Sequence, residues 1–154
     1  MRYILIDRIT SLVPGRALEA IKNVSLSDDL VTRLRPGVSE LPASMVLEAM
    51  AQAAGLLVVA SVHAPAQPVL AKVQAFTAHA HALAGDRIQL RAELEDLRSE
   101  GARATATASV DGKRIAEAVI YLALMPIEDE ARVAVVRERL ADTFPEWFDK
   151  VSVG

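Results

Sequence analysis

One long apolar segment, residues 41–63 (LPASMVLEAMAQAAGLLVVASVH), dominates the hydrophobic pattern of the chain. Its alanines, leucines and methionines favour a helix, and Pro42 suits a first helical turn. Apolar residues fall on every side of the helical wheel, which predicts a helix surrounded by protein. The segment is also long enough to span a bilayer. A carboxylate near its middle and the lack of a basic cluster at one end favour a core helix instead.

Two strongly polar side chains interrupt this segment. Glu48 and Gln52 are four residues apart and therefore project from one face of the helix. A carboxylate in a buried helix needs a partner, a hydrogen bond or a proton. The pattern leaves two interpretations open, a structural carboxylate satisfied by a buried partner or a functional one.

The remaining hydrophobic pattern alternates with the period of strands. Ahead of the helix it predicts strands over 3–9 and 17–26, one helical turn capped by 27–29, and a loop over 33–39. Behind the helix it predicts strands over 69–83, 87–98, 102–110 and 113–125, with a hairpin turn at Asp111-Gly112.

Within the strand predicted over 69–83, small and aromatic residues alternate with polar ones. We expect one face to pack on the helix and the other to face outward. The inward face would hold Phe76, Ala78, Ala80 and Ala82, and the outward face Thr77, His79 and His81.

The order of elements predicts an α+β fold in which a curved antiparallel sheet wraps one long central helix. We expect residues 1–125 to form this domain, and residues 126–154 to form a C-terminal helical extension packed on it. An amphipathic pattern predicts a helix over 127–140, with Val133, Val136 and Leu140 on one side. The aromatic residues Phe144, Trp147 and Phe148 would then cover the domain's own surface or contact a partner.

Composition narrows the function classes. A chain of 154 residues is one domain by length. The net charge of −3 gives no general attraction to nucleic acid or to an anionic membrane. The absence of cysteine excludes disulfides, thiolate nucleophiles and cysteine-based metal sites. With no signal-peptide pattern at the N-terminus, we expect a soluble cytoplasmic protein, and we expect no cofactor.

Four segments resemble one enzyme family. YILIDRIT, AIKNVSLSDD, LPASMVLEAMAQAAGLL and LAKVQAFTAHAHALAGDRIQL are similar to the β-hydroxyacyl-[acyl carrier protein] dehydratases of the FabA/FabZ type. The similarity runs from Tyr3 to about Leu124, and the E-A-M-A-Q run of the helix is its most specific part. The resemblance implies the hot-dog fold of that family.

The resemblance also implies a catalytic pair contributed by opposite protomers of a dimer. Glu48 would be the helix carboxylate that acts as an acid on the departing hydroxyl, and the backbone N–H of Ala43 would polarise the thioester carbonyl. Pro36-Gly37 matches the end of the family's His-Phe-Pro-Gly loop, where Leu34 takes the place of the catalytic histidine. The candidate binding residues are Arg35, Pro36, Gly37, Met45, Gln52 and Phe76.

Leu34 cannot remove a proton from carbon, and such a base contributes on the order of 10² to 10⁴ in rate. His79 and His81 share a strand face that we expect to be exposed. Two alternatives to simple exposure are that the two histidines hold a metal between them or that they contact a partner protein. His63 is expected to satisfy the last carbonyls of the central helix. We expect no metal at the acyl site.

Three hypotheses follow for the activity. The chain could be half of a heteromeric dehydratase, a hot-dog acyl-thioesterase, or a non-catalytic acyl-thioester-binding subunit. The implied ligand is a thioester of acyl carrier protein or of coenzyme A. The implied assembly is a homodimer, a heterodimer with a histidine-bearing homologue, or a higher oligomer. The candidate contacts for an acidic carrier protein are Arg33, Arg35, Lys72 and Arg87.

Overall fold

The computed structural model describes residues 4–62 and 65–147. The strands are β1 (Arg8–Val13), β2 (Ala17–Asn23), β3 (Thr32–Arg35), β4 (Val38–Leu41), β5 (Ala66–Ala78), β6 (Ala82–Leu83), β7 (Arg87–Leu97), β8 (Gly101–Val110) and β9 (Lys113–Pro126), and the helices are α1 (Ala43–Ser61) and α2 (Glu130–Thr143). One six-stranded antiparallel sheet has the order β1-β2-β7-β8-β9-β5, and a smaller sheet has the order β3-β4-β6. This arrangement, a long helix against an antiparallel sheet, is the hot-dog fold that we predicted.

Small side chains allow α1 to lie close to the main sheet. The buried side of α1 is rich in alanine, with Ala49, Ala53 and Ala54 fully buried beside Met50, Leu57 and Val58. The inward positions of β8 are also alanines, at every second residue from Ala102 to Ala108. Where alanines meet on the two surfaces, no atom beyond Cβ separates the backbones, so α1 and β8 can approach closely.

One side of α1 is not covered by the sheet. The residues at spacings of three and four along it are Met45, Glu48, Gln52, Leu56 and Val59, and we call this set the open stripe of α1. Glu48 is exposed and the other four are half-buried. The prediction of a helix surrounded by protein, with a buried carboxylate, is therefore wrong on this side, because a single sheet covers only one side of a helix. One described helix, α1, is long and apolar enough to cross a membrane, yet 56% of its most apolar window is buried in the fold.

The N-terminal segment differs from its predicted strand. β1 begins at Arg8 instead of residue 3, and β2 ends at Asn23 instead of residue 26. Residues 4–6 lie against α1, where the Leu5 N–H donates to Gln52 Oε1 at 2.9 Å. Leu5 and Ile6 are thus buried although they belong to no strand of the sheet.

The capped helical turn predicted at 27–29 is a non-helical turn. Asp28 accepts hydrogen bonds from the Leu30 N–H at 3.0 Å and from Lys22 Nζ at 2.9 Å. Lys22 is only 6% exposed, so Asp28 supplies the counter-charge of a buried ammonium group. The Leu30 N–H first and Lys22 second hold the pKa of Asp28 below its usual value.

The predicted loop over 33–39 is a β-hairpin formed by β3 and β4. Pro36 and Gly37 form its turn, and Gly37 has φ +77°, a left-handed conformation that favours glycine. β4 ends at Leu41, which pairs with Ala82 of β6, and only Pro42 separates it from α1. The pairing of β3 with β4 and of β4 with β6 therefore orders a segment whose local sequence indicates only a turn.

The strand predicted over 69–83 is two strands. β5 ends at Ala78, after which the His79 and Ala80 N–H groups both donate to the Ile115 carbonyl. Ala78 and Ala80 are exposed, so the predicted helix-facing alanine face is wrong, and only Ala82 is buried, in β6. The hairpin turn at Asp111-Gly112 is confirmed, with φ values of +50° and +78°.

α2 lies three residues later than predicted because Asp129 caps it. Asp129 Oδ1 accepts a hydrogen bond from the Ala131 N–H at 3.0 Å. After α2, Phe144 is 6% exposed and Trp147 Nε1 donates to the Ile9 carbonyl at 2.8 Å. These aromatic residues thus pack on the chain's own surface. The predictions for His63 and Phe148 lie outside the described residues.

Candidate functional site

A cavity of about 800 Å³ opens beside the open stripe of α1. Its other walls are the N-terminal segment, the first residues of β5, and α2 with Phe144. Most of its lining is apolar. The polar residues that line it are Glu48, Gln52, Gln67, Arg139 and Thr143.

A short hydrogen-bond chain holds the carboxylate in this cavity. Gln52 Nε2 donates to Glu48 Oε1 at 3.2 Å, and Gln52 Oε1 accepts from the Leu5 N–H at 2.9 Å. Leu5 is only 2% exposed, so its backbone bond to Gln52 is a protected one. Gln52 thereby links the backbone of buried Leu5 to an exposed acid, and its amide gives Glu48 a neutral hydrogen-bond donor.

The structure brings three of the predicted site residues together in the cavity, namely Met45, Glu48 and Gln52. The others lie elsewhere in this chain. Leu34, Arg35, Pro36 and Gly37 lie in the β3–β4 hairpin, Ala43 is the first residue of α1, and Phe76 is half-buried on β5 against the core.

Among the residues that the structure describes, no side chain caps the start of α1. Pro42 precedes it, the first turn has no acidic residue, and the Pro42 carbonyl accepts from both the Met45 and the Val46 N–H groups. Ala43 and Ser44 are exposed. The N–H groups of Ala43 and Ser44 lie ahead of these first hydrogen bonds of the helix, so this end presents the positive side of the helix dipole.

The two described histidines each lie beside a different carboxylate. His81 Nδ1 is 2.5 Å from Glu40 Oε2, and His79 Nε2 is 3.7 Å from Glu117 Oε2. Over residues 4–62 and 65–147, no group of three or more metal-ligating side chains is found. In the same ranges no histidine lines the cavity.

The four basic residues proposed as carrier-protein contacts are all on the surface. Arg33 and Arg35 lie on β3, Lys72 on β5 and Arg87 at the start of β7. Exposed basic residues suit an acidic partner, although their positions on three strands do not define one patch.

Sequence reasoning missed the α2 wall of the cavity, formed by Val136, Arg139, Leu140 and Thr143. The amphipathic pattern did indicate that Val136 and Leu140 share a packed side. It carried no information on what they face, because the period of a helix identifies an apolar side without identifying its neighbour.

Comparison with known families gives one match over most of the chain. The profile described as "FabA-like domain" matches residues 1–119. The 3-hydroxyacyl-[acyl-carrier-protein] dehydratase FabZ of Nitratidesulfovibrio vulgaris (strain DSM 19637 / Miyazaki F) is 32% identical over 130 residues, which are 82% of this chain and 84% of the relative. FabZ of Myxococcus xanthus is 35% identical over 120 residues, covering 75% and 77% of the two chains.

Solved structures share the fold at lower identity. Smu.793 from Streptococcus mutans UA159, bound to acetyl CoA, has a TM-score of 0.67 at 12% identity, covering 84% of this chain and 96% of that one. Zebra fish thioesterase superfamily member 2 has a TM-score of 0.61 at 20% identity, covering 75% and 78%. At these identities the likeness is one of fold alone.

Proposed function

Because this chain belongs to the family of FabA-like domains, in which FabZ dehydratases are its relatives, we propose that it is a FabZ-like 3-hydroxyacyl-thioester dehydratase subunit with impaired or partner-dependent activity. It would serve fatty-acid or polyketide-type metabolism in the cytoplasm. The observation that carries the proposal is the pair Glu48 and Gln52 in a largely apolar cavity.

The chemistry assigned to Glu48 is proton donation. In the dehydration of a 3-hydroxyacyl thioester, a base removes a C2 proton and the C–H electrons form the C2–C3 double bond. The C3–O bond breaks, and the hydroxyl leaves as water after taking a proton from the acid. Gln52, which donates to one carboxyl oxygen at 3.2 Å, would fix the orientation of that acid.

In our proposal, this chain lacks the base that removes the C2 proton. Leu34 is half-buried in β3 and has no titratable group. In the part of the chain that the structure describes, His79 and His81 do not line the cavity, so neither replaces the base there. A lone chain would then have low activity, and a partner with the loop histidine would restore it.

The partner would join at the edge of the main sheet. β5 is the last strand of the six-stranded order, is 13 residues long, and pairs with β9. On it Val69 and Leu70 are 43% and 40% exposed. A long edge strand with apolar exposure is a template for pairing with another chain, which supports a dimer formed by a second copy or by a histidine-bearing homologue.

The ligand would be an acyl thioester of acyl carrier protein or coenzyme A, with the carbonyl at the uncapped start of α1. The N–H of Ala43 is the donor that we assign to it. Two alternatives keep the same pocket. In a thioesterase, Glu48 would activate water for attack on the carbonyl, and in a non-catalytic subunit the thioester would be bound without turnover.

The test is product analysis with a short-chain 3-hydroxyacyl thioester. The purified chain alone should form little or no enoyl product. Co-expression with a histidine-bearing FabZ whose own helix carboxylate is replaced by an amide should yield a complex that forms it, unless Glu48 is replaced by Gln. Release of free thiol would favour the thioesterase. Fast dehydration by the lone chain would overturn the partner-dependent proposal.

A further inference from the structure

We propose that α2 is a wall of the acyl pocket and that Val136 and Leu140 set the length of acyl chain it accepts. The inference rests on the proposed function, since it takes the cavity beside Glu48 to be the acyl site. It assigns a specificity-determining role to a helix, Glu130–Thr143, that begins beyond the residues matched by the family profile, 1–119.

The contacts of α2 hold it across the cavity. Near its start, Arg132 Nη2 donates to Gln67 Oε1 at 3.0 Å, beside the first residues of β5. Just after its end, Trp147 Nε1 donates to the Ile9 carbonyl at 2.8 Å, and Phe144 is buried. Between these two attachments, Val136 and Leu140 are half-buried and line the cavity. The helix is therefore fixed at both ends and presents apolar side chains to the space between.

The open stripe of α1 suits an occupant with an apolar chain and one polar end. After Met45, the polar pair Glu48 and Gln52 is followed on this stripe by the apolar Leu56 and Val59. From Gln52 to Val59 the helix rises by about 10 Å at 1.5 Å per residue. A thioester whose reacting carbons lie at Glu48 would place its hydrocarbon chain along this apolar part, beneath α2. Val136 and Leu140 contribute hydrocarbon side chains to the lining there.

A hydrocarbon chain in such a pocket gains affinity with each methylene group that it buries, by about fourfold in Kd per group. A wall residue that occupies the space of two methylenes would therefore weaken binding of a long chain by about fifteenfold. A chain too short to reach the wall would bind unchanged. Wall residues are thus identified by an effect that depends on chain length.

The experiment compares two neighbouring substitutions on α2. Val136→Phe adds bulk toward the cavity, while Val135→Phe adds the same bulk at a position that is 56% exposed. Binding of S-butyl and S-dodecyl pantetheine thioethers, which carry the arm shared by carrier protein and coenzyme A and cannot be hydrolysed as esters, is measured by calorimetry. Leu140→Ala serves as an enlarging variant, and the melting temperature of each protein verifies folding.

We expect Val136→Phe to weaken binding of the dodecyl thioether at least tenfold and to leave binding of the butyl thioether within twofold of that of the unsubstituted protein. Val135→Phe should leave the binding of both thioethers unchanged. Leu140→Ala should extend the preference toward an S-hexadecyl probe. Equal effects of Val136→Phe and Val135→Phe, or an equal loss for both chain lengths, would overturn the role of α2 while leaving the acyl site in place. If the unsubstituted protein binds neither thioether, the proposed function itself fails, and the inference fails with it.

Discussion

Replacing Gln52 and Glu48 separately distinguishes a structural polar pair from a catalytic one. Gln52→Leu keeps a side chain of similar size but removes the acceptor of the Leu5 N–H, which lies 2.9 Å from Gln52 Oε1. Glu48→Gln removes the ionisable carboxyl group of Glu48 and keeps an oxygen that can accept from Gln52 Nε2. The two substitutions thus act at neighbouring positions on the same stripe with different consequences.

The expected magnitudes follow from burial. Leu5 is 2% exposed, and an unsatisfied buried N–H costs about 1–3 kcal/mol. For a chain of 154 residues this corresponds to a fall in melting temperature of roughly 2–4 °C per kcal/mol. Glu48 is exposed and loses no buried contact, so Glu48→Gln should change stability by less than about 0.5 kcal/mol.

The assay is chemical denaturation of the three proteins at neutral pH, followed by thermal melting. The account predicts a stability loss for Gln52→Leu and none for Glu48→Gln. If Glu48→Gln were destabilised by 2 kcal/mol or more, the carboxylate would be a structural group and its assignment to catalysis would lose its basis. If Gln52→Leu were neutral, Gln52 would not be what holds the N-terminal segment on α1.

Three further substitutions, one of them with a control variant, test other contacts. Asp28→Asn should destabilise the protein by about 1–3 kcal/mol at pH 7 because buried Lys22 loses its counter-charge. Because the pKa of Asp28 is lowered in the folded state, its stabilising effect is fully present above the unfolded pKa of about 4 and is lost as the pH falls through the folded pKa. The denaturation midpoints of the unsubstituted protein and of Asp28→Asn should therefore converge in acid. Gly101→Ala would put a Cβ 2.8 Å from the Leu122 carbonyl oxygen and should cost about 1–3 kcal/mol. Its helical control Gly55→Ala, where the nearest atom is Pro68 Cγ at 3.5 Å, should gain about 0.5–1 kcal/mol, and equal effects on thermal melting would contradict this packing. Trp147→Phe removes the donor to the Ile9 carbonyl and should lower stability by about 1 kcal/mol, while an unchanged melting temperature would show that this bond does not anchor the end of α2.

The parts of the fold that sequence could predict are those set by local pattern. The central helix follows from its apolar alanine-rich run, and the Asp111-Gly112 turn follows from two residues that tolerate positive φ. The Leu5 segment and the hairpin at Pro36-Gly37 could not be predicted in this way. Their structure depends on partners distant in sequence, since Leu5 bonds Gln52 and β4 pairs with β6.

Only the part of the candidate site that α1 contributes was predictable from the sequence. Glu48 and Gln52 share a face by spacing alone, and the family resemblance assigns the acid role to Glu48. Their exposure was not predictable, because it depends on where the sheet stops covering α1. The wall formed by α2 was not predictable for a similar reason, since Val136 and Leu140 mark an apolar side of a helix but not the cavity that it lines.

The most direct test of the central claim restores the missing base. Leu34→His places an imidazole at the position that the resemblance assigns to the catalytic histidine, and Arg33→His places one at the preceding, exposed position of β3 as a control. Enoyl product from a 3-hydroxyacyl thioester is measured for both, and again after adding Glu48→Gln. The account predicts a rate gain on the order of 10² to 10⁴ for Leu34→His only, abolished by Glu48→Gln. A folded Leu34→His protein that binds the thioester and gains no activity would contradict it.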